Sequence, residues 1–139
     1  MTAMAGDNGC VGLVLVSHSA EIAKGVADLA GQVAGPAVAI VTAGGAQDGS
    51  LGTDGGRVLE LLRAAAAGTG AVVLVDLGSS VLSVRAALTE LSAAESERIR
   101  VADAPLVEGA VAAAVAASTG CSLEEAARAA EEARNVAKL

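Results

Sequence analysis

Cys10-Val11-Gly12-Leu13-Val14-Leu15-Val16, closed at once by Ser17-His18-Ser19, is the stretch on which the reading of this 139-residue chain turns. The run is apolar and rich in valine, with no polar alternation, so it predicts a strand covered on both faces, as in parallel sheets wrapped by helices. The polar tripeptide predicts the loop beyond the strand's carboxyl end. A helix should follow, because Ile22, Val26, Leu29 and Val33 recur at helical spacing, Glu21 falls in a first turn that favours acids, and Gly35-Pro36 stops the pattern.

The same alternation runs on to the C-terminus. Ala37 to Val41 predicts a second strand, Thr42 to Gly52 a glycine-rich loop, and Thr53 the start of a helix carrying Val58, Leu61, Leu62 and Ala65 as far as Gly68-Thr69-Gly70. Ala71 to Asp76 predicts a third strand, apolar until its last residue. Leu77-Gly78-Ser79-Ser80 then turns into a helix on which Leu82, Leu88 and Leu91 share a face. Arg98 to Ala102 predicts a short fourth strand with charged ends, near an edge. Asp103-Ala104-Pro105 opens a fourth helix, and the capping box Ser122-x-x-Glu125 opens a fifth, Leu123 to Val136. The expected fold is α/β: an open, doubly wound, mostly parallel four-stranded sheet flanked by about five helices. Residues 1–10 read as an N-terminal extension and 11–139 as the domain. In such a sheet ligands bind beyond the carboxyl ends of the strands, here Ser17-His18-Ser19, Thr42 to Thr53, Leu77 to Ser80, and Asp103.

Composition narrows the function. Phe, Tyr and Trp are absent, which removes the stacking platforms of single-strand nucleic-acid binders and adenine sandwiches. The 16 acidic against 9 basic side chains give a net charge of −7, the wrong sign for displacing phosphate counterions, so nucleic acid is not an expected partner. Mean hydropathy is +0.59, yet no stretch approaches the ~20 apolar residues of a membrane span, and alanine accounts for much of the value. The first eight residues lack the basic and apolar regions of a secretion signal. Cys10 and Cys121 have no CxxC spacing and His18 is the only histidine, so no metal site is expected; both cysteines read as small hydrophobes in a reducing cytoplasm.

His18 ionises nearest neutrality among the side-chain types present, and it follows the first strand directly. It either fills a loop or faces a crevice whose free backbone N–H groups favour an anion, and a nucleophilic imidazole beside an anion pocket points to phosphoryl transfer. Asp76, at the same sheet edge, either caps the third helix or accepts a hydrogen bond from one ring nitrogen and frees the other to attack phosphorus. The loop from Gly44 to Gly56 lacks the GK[ST] ending and clamping lysine of a Walker loop, so its glycines serve close backbone approach or simple flexibility. Thr53, Ser79 and Ser80 are able to cap helices, donate to a phosphoryl oxygen, or both.

Taken together, Val14-Leu15-Val16-Ser17-His18-Ser19, Gly52-Thr53-Asp54, Val73-Leu74-Val75-Asp76-Leu77-Gly78-Ser79-Ser80 and Ala104-Pro105-Leu106-Val107-Glu108-Gly109-Ala110 resemble, in order and spacing, the EIIA-type domain of the DhaM family. That domain has the mannose-family EIIA fold, and the resemblance covers the chain from Val11 to about Ala137. It implies an enzyme subunit, a phosphoenolpyruvate–glycerone phosphotransferase, in which His18 takes a phosphoryl group from the phosphocarrier HPr of the phosphotransferase system. The group would pass to ADP bound in the partner DhaL, and the ATP formed would phosphorylate dihydroxyacetone in DhaK. Asp76 matches the acid paired with the active histidine. Ser19, Thr53, Gly78, Ser79 and Ser80 match segments that line the phosphoryl pocket. The family implies a cytoplasmic homodimer with no cofactor on this chain, ADP and magnesium being held by DhaL. Two alternatives stand beside it: a mannose-family EIIA serving a sugar permease, and a non-catalytic module whose phosphorylation only changes partner binding.

Overall fold

The computed structural model describes residues 9–139, so of the expected extension residues 1–8 lie outside what is described, while Cys10 is buried in the core. The strands are β1 (Gly12–Ser17), β2 (Ile40–Gly44), β3 (Ala71–Val75) and β4 (Ile99–Val101). The helices are α1 (Ala20–Ala34), α2 (Gly55–Ala67), α3 (Gly78–Thr89), α4 (Ala93–Ser96), α5 (Leu106–Ser118) and α6 (Leu123–Glu132), and a 3-10 turn covers Ala133–Asn135. The sheet is four-stranded and parallel throughout, in the order β2-β1-β3-β4.

That order places β1 and β3 side by side at the point where the winding reverses. From β1 the chain crosses through α1 to β2 on one side, then returns through α2 to β3 on the other. A crevice opens beyond the carboxyl ends of the strands at such a reversal. Val16 is in register with Val75, and the Asp76 N–H donates to the Val16 carbonyl at 3.2 Å. Residues 58 positions apart, His18 and Asp76, therefore leave the sheet together.

Side chains alternate across the sheet, so each face has its own core. Leu13, Leu15, Val72 and Leu74 pack with Val26 and Ala30 of α1 and the buried alanines of α5 and α6. Val14, Val16 and Val73 pack with Val58, Leu61 and Leu62 of α2 and Val84 and Ala87 of α3. With no aromatic residue available, the core is filled by close approach of small side chains. Gly109 of α5 is one example, since an added Cβ would lie 2.7 Å from Leu74 Cδ2.

Several expected boundaries move. The second strand begins at Ile40 rather than Ala37, because Pro36 to Val38 form the turn leaving α1. The second helix is capped by Asp54, whose side chain accepts from the Arg57 N–H, and not by Thr53. A short extra helix, α4, carries its own capping box of Ser92 and Glu95, and the last helix gives way to the 3-10 turn after Glu132. Ser122 and Glu125 form their capping box as expected. The apolar stripe of α1 is only partly a core stripe: Ala23, Val26 and Ala30 are buried, whereas Ile22, Leu29 and Val33 stand about half exposed. On α3 the buried line is Ser80, Val84 and Ala87, and Leu82 faces outward.

Candidate functional site

The site is assembled where β1 and β3 end. β1 hands the chain to α1 through His18 and Ser19, and β3 hands it to α3 through Asp76 and Leu77. Such short connections leave little freedom, so strand register fixes the relative positions of the imidazole and the carboxylate. Gly44 tightens the arrangement, because a Cβ there would sit 2.7 Å from both Ala20 Cα and Ser19 O. Only a glycine lets the end of β2 pass so close to the start of α1. The loop after it is pinned to the site by the Gly52 N–H, which donates to the His18 carbonyl at 2.9 Å.

Asp76 is the hub. Its Oδ2 accepts from the Ser17 hydroxyl at 2.8 Å and from the His18 main-chain N–H at 2.9 Å. Its Oδ1 accepts from His18 Nδ1 at 2.8 Å, the Leu77 N–H at 2.7 Å and the Ser80 hydroxyl at 2.8 Å. Burial on its own would raise this carboxyl's pKa; the hydrogen bonds from the His18 N–H, Ser17, the His18 ring and Ser80 outweigh it and hold the group well below the usual carboxylate range. An ionised carboxylate only accepts. Nδ1 of a neutral His18 ring therefore carries the proton, which it also shares with Ser80 Oγ at 3.2 Å. The lone pair is left on Nε2, where the Ser79 hydroxyl meets it. The His18 side chain is 23% exposed against 14% for Asp76, so the ring shields its anchor and offers its far edge to solvent.

Of the residues singled out from sequence, His18, Asp76, Ser79 and Ser80 come together within hydrogen-bonding contact, and Gly78 opens α3 beside them. The Ser19 hydroxyl is engaged as the N-cap of α1, accepting from the Ile22 N–H at 3.2 Å. Thr53 reaches across to Ser83 of α3 at 2.7 Å instead of touching His18. Asp76 is not the side-chain cap of α3: Leu77 occupies that position, with no side-chain cap bond. Ser17 went unassigned in the sequence reading. It is fully buried, donates to Asp76 and accepts from the Ser19 N–H at 3.1 Å, so it ties the carboxylate to the first turn of α1. The clue was a hydroxyl closing an otherwise apolar strand.

A cavity of 590 Å³ adjoins the site, sharing Asp76, Leu77 and Gly78 as a wall and running between Arg85 of α3 and Val101 of β4. His18 does not line it. No group of three or more His, Cys, Asp or Glu among the described residues is placed to hold a metal ion, and none of their helices is long and apolar enough to cross a membrane.

The arrangement has counterparts among known proteins. The family model EIIA-man, described as PTS system fructose IIA component, matches residues 12–127. The phosphoryl donor subunit DhaM of the PEP-dependent dihydroxyacetone kinase of Providencia stuartii is 38% identical over 118 residues, which cover 83% of this chain and 25% of that protein. The Escherichia coli subunit of the same name is 36% identical over 118 residues, again 25% of its length. The chain thus spans about a quarter of these relatives. The phosphoryl donor subunit DhaM of dihydroxyacetone kinase 2 from Listeria innocua is 36% identical over 105 residues, which cover 76% of this chain and 84% of that protein. A crystal structure of a protein of unknown function, EF1359, superposes with a TM-score of 0.80 at 32% identity, covering 100% of this chain and 98% of its own.

Proposed function

Because the chain belongs to the EIIA-man family of phosphotransferase-system IIA components, we propose that it is a phosphohistidine carrier supplying phosphoryl groups to a dihydroxyacetone kinase. The observation that carries this reading is the Asp76–His18 Nδ1 hydrogen bond at 2.8 Å, which leaves the Nε2 lone pair at the open edge of the ring. His18 acts as the nucleophile and Asp76 as the group that orients it.

In the step proposed, the Nε2 lone pair attacks phosphorus in line with the N–P bond of the donor's phosphohistidine. The Nε2–P bond forms, the donor's N–P bond breaks, and its electron pair returns to the donor's ring nitrogen. Nδ1 keeps its proton throughout. The phosphorylated His18 ring is then formally cationic, and its charge faces the ionised Asp76, a charge-assisted hydrogen bond stronger in the product than in the free ring. Ser79 swings from Nε2 to a phosphoryl oxygen. The N–H groups of Gly78 and Ser79, in the first turn of α3, have no partner within the helix and supply further donors. The second transfer runs the same chemistry in reverse order, with an ADP oxygen as nucleophile. HPr as donor, DhaL with ADP and magnesium as acceptor, DhaK as the final station and a homodimeric, cytoplasmic state complete the proposal, the relatives named DhaM being its support.

Incubation with phosphoenolpyruvate, enzyme I and HPr, followed by intact-mass measurement, tests the first half. One phosphoryl group labile to mild acid is expected, and none on His18→Ala. Subsequent loss of that group to DhaL loaded with ADP tests the second half. A fully charged His18→Ala variant would refute the nucleophile assignment, and retention of phosphate before DhaL would favour a sugar permease as acceptor.

A further inference from the structure

The Ser79 hydroxyl donates to His18 Nε2, and the same ring donates from Nδ1 to the ionised Asp76 at 2.8 Å. Phosphoryl transfer to Nε2 has no need of that first bond, since a hydroxyl on the attacking lone pair must leave before phosphorus arrives. The order hydroxyl, imidazole, carboxylate has a chemistry of its own. An imidazole whose far nitrogen is held by a carboxylate takes a hydroxyl's proton while the oxygen attacks a carbonyl carbon. Asp76 fixes the tautomer this requires, because as a carboxylate it only accepts, and the Ser17 and Ser80 hydroxyls hold it at 2.8 Å each. Ser79 is also the second residue of α3, two residues of turn and one of helix beyond the end of β3. Its own N–H and that of Gly78 therefore have no acceptor within the helix, and free N–H groups beside an attacking oxygen are the donors a developing oxyanion uses. Leu77, Gly78 and Ser79 are all exposed, so a small substrate reaches the hydroxyl from solvent, and the Leu77 side chain, 65% exposed, offers apolar surface to a short acyl chain.

We propose that the protein in its unphosphorylated form has a second activity, hydrolysis of short, uncharged acyl esters, with Ser79 as nucleophile, His18 as general base and Asp76 as the positioning residue. Ser79 Oγ forms a bond to the carbonyl carbon as its proton passes to Nε2; the ester C–O bond then breaks, and the leaving alkoxide takes that proton. Water attacks the acyl-Ser79 carbon, gives its proton to Nε2, and the acid leaves as Oγ recovers the proton. Both activities draw on one lone pair. An Nε2 that carries a phosphoryl group has none to offer, so the phosphorylated protein is unable to activate Ser79. The ester chemistry needs only the free ring and stands apart from the phosphocarrier reading; its silencing by phosphorylation rests on that reading.

An alkyl fluorophosphonate, which loses fluoride to an activated serine and leaves a stable ester on its oxygen, is the first probe. The wild type is expected to take up one phosphonyl group, mapped to Ser79 by peptide mass spectrometry, at a rate roughly 10²- to 10⁴-fold above that of His18→Ala, the contribution of a positioned general base. Ser79→Ala, a change at an exposed position, should take up none, and the rate for Asp76→Asn should fall toward that of His18→Ala. The second probe is p-nitrophenyl acetate. Quenching its hydrolysis in acid should trap an acetyl group on Ser79 as an ester that survives, whereas an acyl group on the His18 ring would be lost. An adduct on His18, labelling of His18→Ala at the wild-type rate, or a wild type that neither probe modifies overturns the proposal. Protein first charged by phospho-HPr should resist the fluorophosphonate until its phosphate is removed, and full labelling of the charged form overturns the shared use of Nε2. Both probes act on uncharged protein, so they decide the ester activity whatever the outcome with HPr.

Discussion

Asp76→Asn keeps the shape of the hub and removes its charge, and the hydrogen bonds say what must follow. Both carboxylate oxygens only accept, from five donors in all: the Ser17 hydroxyl and His18 N–H at Oδ2, and His18 Nδ1, the Leu77 N–H and the Ser80 hydroxyl at Oδ1. An asparagine has one oxygen and one NH₂. With the NH₂ at Oδ2 it faces the His18 N–H; at Oδ1 it faces the Leu77 N–H and turns Nδ1 into an acceptor, moving the ring proton to the attacking nitrogen. Either way a main-chain donor meets a donor, at a cost of about 1–3 kcal/mol of stability. The charge-assisted bond to the cationic phosphorylated ring is also lost, worth about 1.5–3 kcal/mol, which at about 1.36 kcal/mol per tenfold slows transfer by roughly 10- to 150-fold. Rapid-quench, single-turnover transfer from phospho-HPr at pH 7 measures this, with urea unfolding run alongside to show that the variant folds. A rate within about twofold of the wild type, far from the ~1.36 kcal/mol of one tenfold step, would refute the orienting role of Asp76.

Further outcomes follow from the same contacts. Ser17→Ala leaves the Ser19 N–H without its acceptor and should cost about 1–3 kcal/mol of stability, with a smaller loss of rate than Asp76→Asn; because both changes act through Oδ2, the double variant should lose less than the sum, and full additivity would sink the coupling. Asp76 has a lower pKa folded than unfolded, so its stabilisation is complete above the unfolded value of about 3.9 and is lost as pH falls toward the folded one. The stability gap between wild type and Asp76→Asn, from urea midpoints, should therefore shrink between about pH 5 and pH 2, and a constant gap would contradict it. Gly44→Ala forces a Cβ to within 2.7 Å of main-chain atoms that do not yield easily, and should cost about 1–3 kcal/mol; an unchanged Tm would mean that α1 moves freely.

The alternation of apolar runs with helical spacing was enough to read the sheet, its helices and the edge on which His18 and Asp76 lie, because burial on both faces leaves a mark on every residue of a strand. Boundaries were less legible where alanine dominates. Ala37 and Ala39 fit strand, turn or helix equally, and the start of β2 at Ile40 was settled by pairing with Leu13. The α1 stripe misled for a related reason: small Ala23 and Ala30 take the core positions, and the larger Ile22, Leu29 and Val33 are left outside.

The sequence by itself singled out one imidazole and one carboxylate, each at the end of an apolar strand. Only the tertiary structure decided that they share a proton. Strand order and the register of Val16 with Val75 are set by packing across 58 intervening positions, and no local pattern encodes them. The same holds for Ser17, whose role exists only because β3 brings a carboxylate to it.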